Sequence, residues 1–215
     1  MQIFVDVFLL LTLYFLFGYT HTFLSSKKNK YFIKNKFGNL IAFYRLFFNI
    51  ISILFLVLIF NYAPHPDITI YDLQNPYDFL ILIPQLLGLV GFFWSFNYLC
   101  ASEIIGIGQI KRWLRNEYDM EDLDEKTTLN IRGPFRYVRH PVYFFSILFL
   151  ISRPTMDLFY LITFICAVIY FYIGSIYEER KLVEEYGDLY TQYQAMVPRI
   201  LPLKIFNPYK IKETF

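Results

Sequence analysis

Cysteine is almost missing from this chain. Cys100 and Cys166 are the only two, far apart, inside apolar blocks, with no His or Cys at ligand spacing. They read as small hydrophobes rather than as a disulfide or a zinc site, and no metal is expected. Charge is sparse too, at 18% of 215 residues with a net +2. No long basic run with interleaved aromatics lies on a polar background, so nucleic acid is not an expected partner. A glycine-rich phosphate loop is lacking as well. Gly106-Ile107-Gly108 follows no strand and has no third glycine, so it is not a dinucleotide fingerprint. No internal repeat is evident.

What the chain has instead is apolar bulk. It is 56% hydrophobic and 21% aromatic, with Phe 25 and Tyr 19, against about 45–50% apolar for soluble domains by a count that includes glycine. The excess falls in blocks, the mark of a polytopic membrane protein. Ile3 to Leu24 is the first, with Asp6 near its start and Gly18-Tyr19-Thr20-His21-Thr22 near its end. Without a basic leader or a small-residue cleavage site it reads as a retained membrane helix. Five lysines without an acid follow, from Lys27 to Lys36, and then Leu40 to Tyr62, long enough for a bilayer that needs about 20 residues. Arg45, close to the interface, is placed to snorkel. The next loop holds His65 between two prolines, Asp67 and Asp72, and no Lys or Arg; it reads as a stiff extended connection.

Phe79 to Cys100 is the third span, with Pro84 in its second turn and Gly88 and Gly91 suited to close helix packing. Ile104, Ile107, Ile110, Trp113 and Leu114 recur at helical spacing, predicting an amphipathic helix over Glu103 to Asn116. An acidic, solvated loop is expected from Glu117 to Lys126. Pro141 to Ile151 is apolar but too short to span alone, and Met156 to Tyr177 returns as a full span. The expected fold is therefore all-α, with about five membrane helices, the fourth short and in a hairpin with the fifth, plus cytosolic amphipathic helices. Residues 1–102 form an N-terminal three-helix membrane region, and 103–215 a C-terminal region carrying the chemistry, integrated into one domain. The lysine-rich first loop and the arginine-rich third segment belong to the cytosol and the acidic second loop outside. Alternation then puts the N-terminus out and the C-terminus in.

The chemistry concentrates in Arg132-Gly133-Pro134-Phe135-Arg136-Tyr137-Val138-Arg139-His140-Pro141-Val142-Tyr143. Pro141 suits the first turn of a helix. Free N–H groups at that helix start, together with a guanidinium, favour an anion. The bland alternative is a positive flank that sets topology. After the last span come Glu178-Glu179-Arg180, then Leu182, Val183, Tyr186, Leu189, Tyr190 and Tyr193 as one stripe, ended by Pro198. Two readings of the acidic pair stand side by side. Either a glutamate clamps Arg139 or Arg136, or one of them binds a cationic ligand or ribose hydroxyls. The tyrosines read first as packing.

Gly133-Pro134-x-Arg136-Tyr137-x-Arg139-His140-Pro141-x-Tyr143, Glu178-Glu179-Arg180, Tyr186-Gly187-x-x-Tyr190-x-x-Tyr193 and Val197-Pro198-Arg199-x-x-Pro202 occur in that order. As a set they resemble the isoprenylcysteine carboxyl methyltransferase and phospholipid methyltransferase superfamily of integral-membrane enzymes, over residues 130 to 203. Arg153-Pro154-Thr155-Met156, Gly174 and Phe17-Gly18-x-x-His21 look most like its NnrU-related branch, which includes methanethiol S-methyltransferases; Gly106-Ile107-Gly108-Gln109 also resembles a segment of that branch.

The resemblance implies S-adenosylmethionine (SAM) at the cytosolic end of the last helices. Arg139, His140, Pro141, Tyr143, Glu178 and Glu179 would line its pocket, and Tyr190, Val197, Pro198 and Pro202 would enclose the adenosine. Arg139 would pair with the methionyl carboxylate, and His140 would be the base for a thiol acceptor, with His21 a second candidate. Phe144 would narrow the acceptor pocket. The acceptor would be small or lipophilic, best a thiol such as methanethiol, with a prenylcysteine carboxylate or phospholipid amine as alternatives. Membrane lipid is the other expected partner. Sterol reductases that use NADPH carry a similar turn with Asn after the Arg-His-Pro, where this chain has Val142. A non-enzymatic scaffold would have little reason to keep these charges together.

Overall fold

Backbone amides inside a lipid layer must be satisfied within their own segment, so long apolar runs fold as helices. The computed structural model describes residues 1–119, 123, 129–203 and 209 and shows this throughout. Four helical stretches are long and apolar enough to cross a membrane: Gln2–Ser25, Lys27–Tyr62, Tyr77–Phe96 and Leu158–Tyr186. Pro141–Ile151 is apolar but shorter. Phe4, Phe8, Leu86, Leu87, Val90 and Phe93 are more than half exposed on such helices. Apolar surface on that scale fits lipid rather than water. The architecture is that of an all-α, multi-pass membrane protein.

The chain divides into two units, Met1–Pro66 with Cys100–Thr128, and Asp67–Leu99 with Leu129–Phe215. In the first, α1 (Gln2–Ser25) packs on α3 (Tyr44–Tyr62). His21 lies in that seam, its ring 4.6 Å from Phe48 and 5.7 Å from Phe17. The lysine-rich segment is a helix, α2 (Lys27–Phe37), started by the Ser26 side chain, which accepts from the Asn29 N–H at 3.3 Å. A 3₁₀ turn at Gly38–Phe43 leads into α3, so the second span begins with a tighter coil than the sequence suggests.

The amphipathic helix expected over Glu103 to Asn116 is two helices, α6 (Ala101–Ile105 in sequence) and α7 (Ile107–Leu114). These take their numbers from chain order, after α4 (Tyr77–Leu80) and α5 (Leu82–Phe96) of the second unit. Gly106 between them has φ 101°, and a Cβ there would lie 2.6 Å from the Leu46 amide nitrogen, so the helix breaks. At Gly108 a Cβ would meet the Glu103 carboxylate. Glu103 is buried and held by Arg112 through two bonds, 2.6 and 2.9 Å. Arg45 does not snorkel alone. Its Nε donates to the Ile104 carbonyl at 3.0 Å, beside Asn49 at 2.7 Å. The acidic loop expected at 117–126 falls largely outside the described residues.

In the second unit the third span is interrupted near its start, between α4 and α5. Pro84 lacks an N–H, so the Leu80 carbonyl four residues back loses its helical donor; the break is confined to Ile81, which keeps helical dihedrals. The short helix α8 (Pro141–Ile151) packs against α5 at the two glycines, Gly88 and Gly91. A two-stranded antiparallel ribbon, β1 (Thr69–Asp72) and β2 (Thr155–Asp157), joins the ends of this pair to α9 (Leu158–Tyr186). Periodicity gives no sign of it, because three or four residues are too few to show an alternation. Asp157 caps α9, accepting from the Tyr160 N–H at 2.8 Å.

The last helix also differs from expectation. α9 runs straight through Glu178-Glu179-Arg180 to Tyr186, and Gly187 at φ 55° ends it before α10 (Asp188–Met196). The tyrosine stripe therefore spans two helices. Its residues still meet: Tyr190, Tyr193 and Val197 form a buried cluster with Ile131, and Leu182, Val183 and Tyr186 pack on it.

Candidate active site

Arg139 and His140 end the 3₁₀ turn region (Gly133–Arg136) and open α8, with His140 at its N-cap and Pro141, fully buried, in its first turn. Gly133 at φ 56° lets that turn close against the Tyr98 ring. The segment after α10 zips onto it through the backbone. The Arg139 N–H donates to the Pro198 carbonyl at 2.9 Å, and the His140 N–H to that of Arg199 at 3.0 Å. Three remote parts of the sequence are thus brought onto one stretch of α9.

Adjacent residues on a helix point about 100° apart, and this sorts the glutamates. Glu179 faces inward and is 3% exposed; Glu178 faces outward and is 49% exposed. Glu179 accepts from Arg139 Nε at 2.7 Å and Nη2 at 3.1 Å, His140 Nε2 at 3.1 Å, Gln194 Nε2 at 3.0 Å and Arg199 Nε at 3.2 Å. A buried carboxylate is tolerable only with such company. Arg139, 8% exposed, donates from Nη1 to the carbonyls of Gln194, at 2.8 Å, and Val197. The clamp is therefore Arg139 with Glu179. Arg136 is used elsewhere, on the Tyr209 carbonyl at 2.8 Å.

Glu178 is held by the Tyr143 hydroxyl at 2.9 Å and faces His140 Nδ1 at 3.4 Å. Tyr143 lies flat between two rings, His140 at 5.1 Å and Phe171 at 4.8 Å. Both imidazole nitrogens of His140 therefore meet carboxylates, and only the doubly protonated ring can donate to both. Burial opposes that charge, but the hydrogen bonds and charges of Glu178 and Glu179 outweigh it and raise the pKa above 6.5. Folding then gains from protonation. That gain is complete below about pH 6.5, the unfolded value, and fades as pH rises through the higher folded value. The gap in melting temperature between the natural chain and His140→Gln should accordingly narrow as pH rises above about 6.5. A gap that widens over that range would mean that His140 is neutral.

The remaining sequence candidates are spread more widely. Tyr190 and Val197 are buried in the tyrosine cluster, Pro198 and Pro202 are half-buried in the terminal segment, and Phe144 packs edge-on to Phe145 at 5.0 Å. His21 lies in the first unit. Two members of the network were missed by sequence reasoning, Gln194 and Arg199. Gln194 stands one residue past Tyr193 with no motif of its own, and Arg199 was visible only as part of Val197-Pro198-Arg199. Among the described residues no group of His, Cys, Asp or Glu could hold a metal.

Part of this cluster lies within a region that matches known proteins. Residues 85–189 match the phospholipid methyltransferase family model. The match covers Arg139, His140, Tyr143, Glu178 and Glu179 and ends before Arg199. Among curated relatives, methanethiol S-methyltransferase 1 of Bradyrhizobium diazoefficiens is 27% identical over 154 residues, 70% of this chain and 51% of that protein. Methanethiol S-methyltransferase of Crocosphaera subtropica is 28% identical over 155 residues, 70% of this chain and 58% of that protein. That of Pseudomonas deceptionensis is 36% identical over 81 residues, 37% of this chain and 31% of that protein. The chain spans about half the length, or less, of the curated relatives it matches. No solved structure matches.

Proposed function

We propose that this chain is a SAM-dependent methyltransferase of the membrane, acting on a small or lipophilic acceptor, with methanethiol, giving dimethyl sulfide, as the best candidate. The observation that carries the reading is the pair of unlike glutamates at the end of α9. One is locked into an arginine-histidine network and its neighbour is presented to the outside, inside a family-matched region. SAM supplies an electrophilic methyl on a sulfonium. The donor set fits it. Glu178, half exposed, offers an acceptor for ribose hydroxyls or an ammonium. The name of the matched family makes a phospholipid amine the acceptor to test second.

In this reading the cofactor site belongs to the 103–215 region, and the positive-inside rule sets the N-terminus outside and the site at the cytosolic face. α8 and α9 form the hairpin whose short arm carries the site at its mouth. Arg139, Glu179 and His140 hold α8, α9 and the 197–202 segment in register, so the acceptor can be placed in line with the methyl. Proximity is the main catalytic resource of such a reaction. His140, already carrying its proton between two carboxylates, serves as a positioning cation. The thiol proton leaves to solvent, and thiolate is the attacking species.

Thermal-shift measurements on detergent-purified protein should show stabilisation by S-adenosylhomocysteine and SAM but not by NADPH. At a hundred times its dissociation constant the ligand adds roughly 2.7 kcal/mol. Headspace detection should then find dimethyl sulfide from methanethiol and SAM. A response to NADPH alone would sink the methyltransferase reading in favour of a reductase.

A further inference from the structure

The network contains two arginines, and they are not equivalent. Arg139 is almost wholly buried, and four hydrogen bonds commit its donors to Glu179 and two main-chain carbonyls. A guanidinium has five N–H groups, so little is left to offer a ligand. Arg199 is built the other way round. It is 32% exposed, and its Nε and Nη2 both rest on Glu179 Oε2, at 3.2 and 3.0 Å. Its Nη1 has no partner among the described residues. The guanidinium also lies 5.8 Å from the centre of the Tyr172 ring.

One edge of Arg199 is therefore anchored and the other is presented. An idle surface arginine samples many rotamers; this one is fixed on two sides, and its free edge is pre-organised for a planar anion. Charge balance points the same way. Arg139, Arg199 and protonated His140 face Glu178 and Glu179, which leaves one positive charge uncompensated. Nη1 is where that charge is reachable. The anchor on the same carboxylate that grips Arg139 and His140 ties its orientation to the rest of the cluster.

We propose that Arg199 is the residue that binds the carboxylate end of the adenosyl ligand, while Arg139 holds the site together from within. The assignment rests on the methyltransferase reading above. Arg199 lies past the end of the family-matched region, and the case for it comes only from its surroundings.

The test compares two ligands on the full chain in detergent by isothermal titration. These are S-adenosylhomocysteine and S-adenosyl-3-thiopropylamine, which differ only by the carboxylate. The natural chain should prefer the former by about 10- to 100-fold, the worth of a charge-assisted hydrogen-bonded pair. Arg199→Gln should erase that preference while leaving affinity for the amine unchanged, so binding of the amine doubles as proof of folding. Arg199→Lys, which keeps a charge for Glu179, should show the same selective loss in smaller measure, and it decides the matter if the glutamine variant melts early. An Arg199→Gln protein that still prefers S-adenosylhomocysteine overturns the assignment, as does one that loses both ligands equally. A natural chain that binds neither ligand would instead defeat the methyltransferase reading itself.

Discussion

Glu179→Ala is expected to cost about 3–5 kcal/mol of stability, because removing one partner of a buried ion pair strands the other. Here the stranded groups would be Arg139, with its guanidinium sealed from water, and His140. Gln194 and Arg199 would lose their acceptor as well. Glu178→Ala should behave in the opposite way. Its side chain is half exposed, and exposed pairs contribute about 0–1 kcal/mol, so the fold should survive. Affinity for S-adenosylhomocysteine should nevertheless fall about tenfold or more, the loss of one charged contact to the ligand. Unfolding in mixed micelles and ligand titration of both variants would separate the roles. If Glu179→Ala unfolded at the same denaturant level as the natural chain, the central place given to that carboxylate would be wrong.

The second large effect is expected far from the charges. Gly88 and Gly91 let α5 and α8 touch without side chains between them. A Cβ on Gly88 would sit 2.7 Å from the Phe149 amide nitrogen, and one on Gly91 only 2.2 Å from the Phe145 ring. Overpacking of this kind costs about 1–3 kcal/mol. Gly88→Ala should be the worse of the two, because it meets backbone that cannot rotate away. Both variants should also weaken adenosyl-ligand binding, since pushing α8 off α5 moves the helix start where His140 and Tyr143 stand. Gly174→Ala is the control: nothing lies within 4 Å of its Cβ, and alanine gains up to about 1 kcal/mol in a helix. Melting temperatures of the three proteins decide the point. Alanine at Gly88 and Gly91 that leaves melting unchanged would mean the helices are not in contact there.

These two regions show how unevenly the sequence discloses the molecule. Span-length apolar blocks, lysine without acid between the first two, and Gly88 with Gly91 in the third were legible because lipid demands helices and close helix packing demands small residues. The ordered motifs from Gly133 to Pro202 were enough to suggest a resemblance to a superfamily and to expect Arg139, His140, Glu178 and Glu179 at one place. Helix ends were read less well. Gly106 and Gly187 break helices because of positive φ and, at Gly106, a neighbour's backbone, neither of which a hydrophobic period records.

The division of labour inside the site was decided only by the tertiary structure. Two consecutive glutamates are alike as letters, and their difference comes from the angle at which α9 meets the Arg139–His140 turn. Arg139 and Arg199 are likewise interchangeable as charges, and burial makes one a clamp and leaves the other an open edge. His140 looked suited to be a base because its ordinary pKa lies near neutrality; two carboxylates on its two nitrogens change that. Local patterns and composition determine which segments are helices and which chemistry is gathered. Which atom of each gathered group faces a ligand depends on contacts some 40 to 60 residues apart in the chain, and such contacts exist only once the chain has folded.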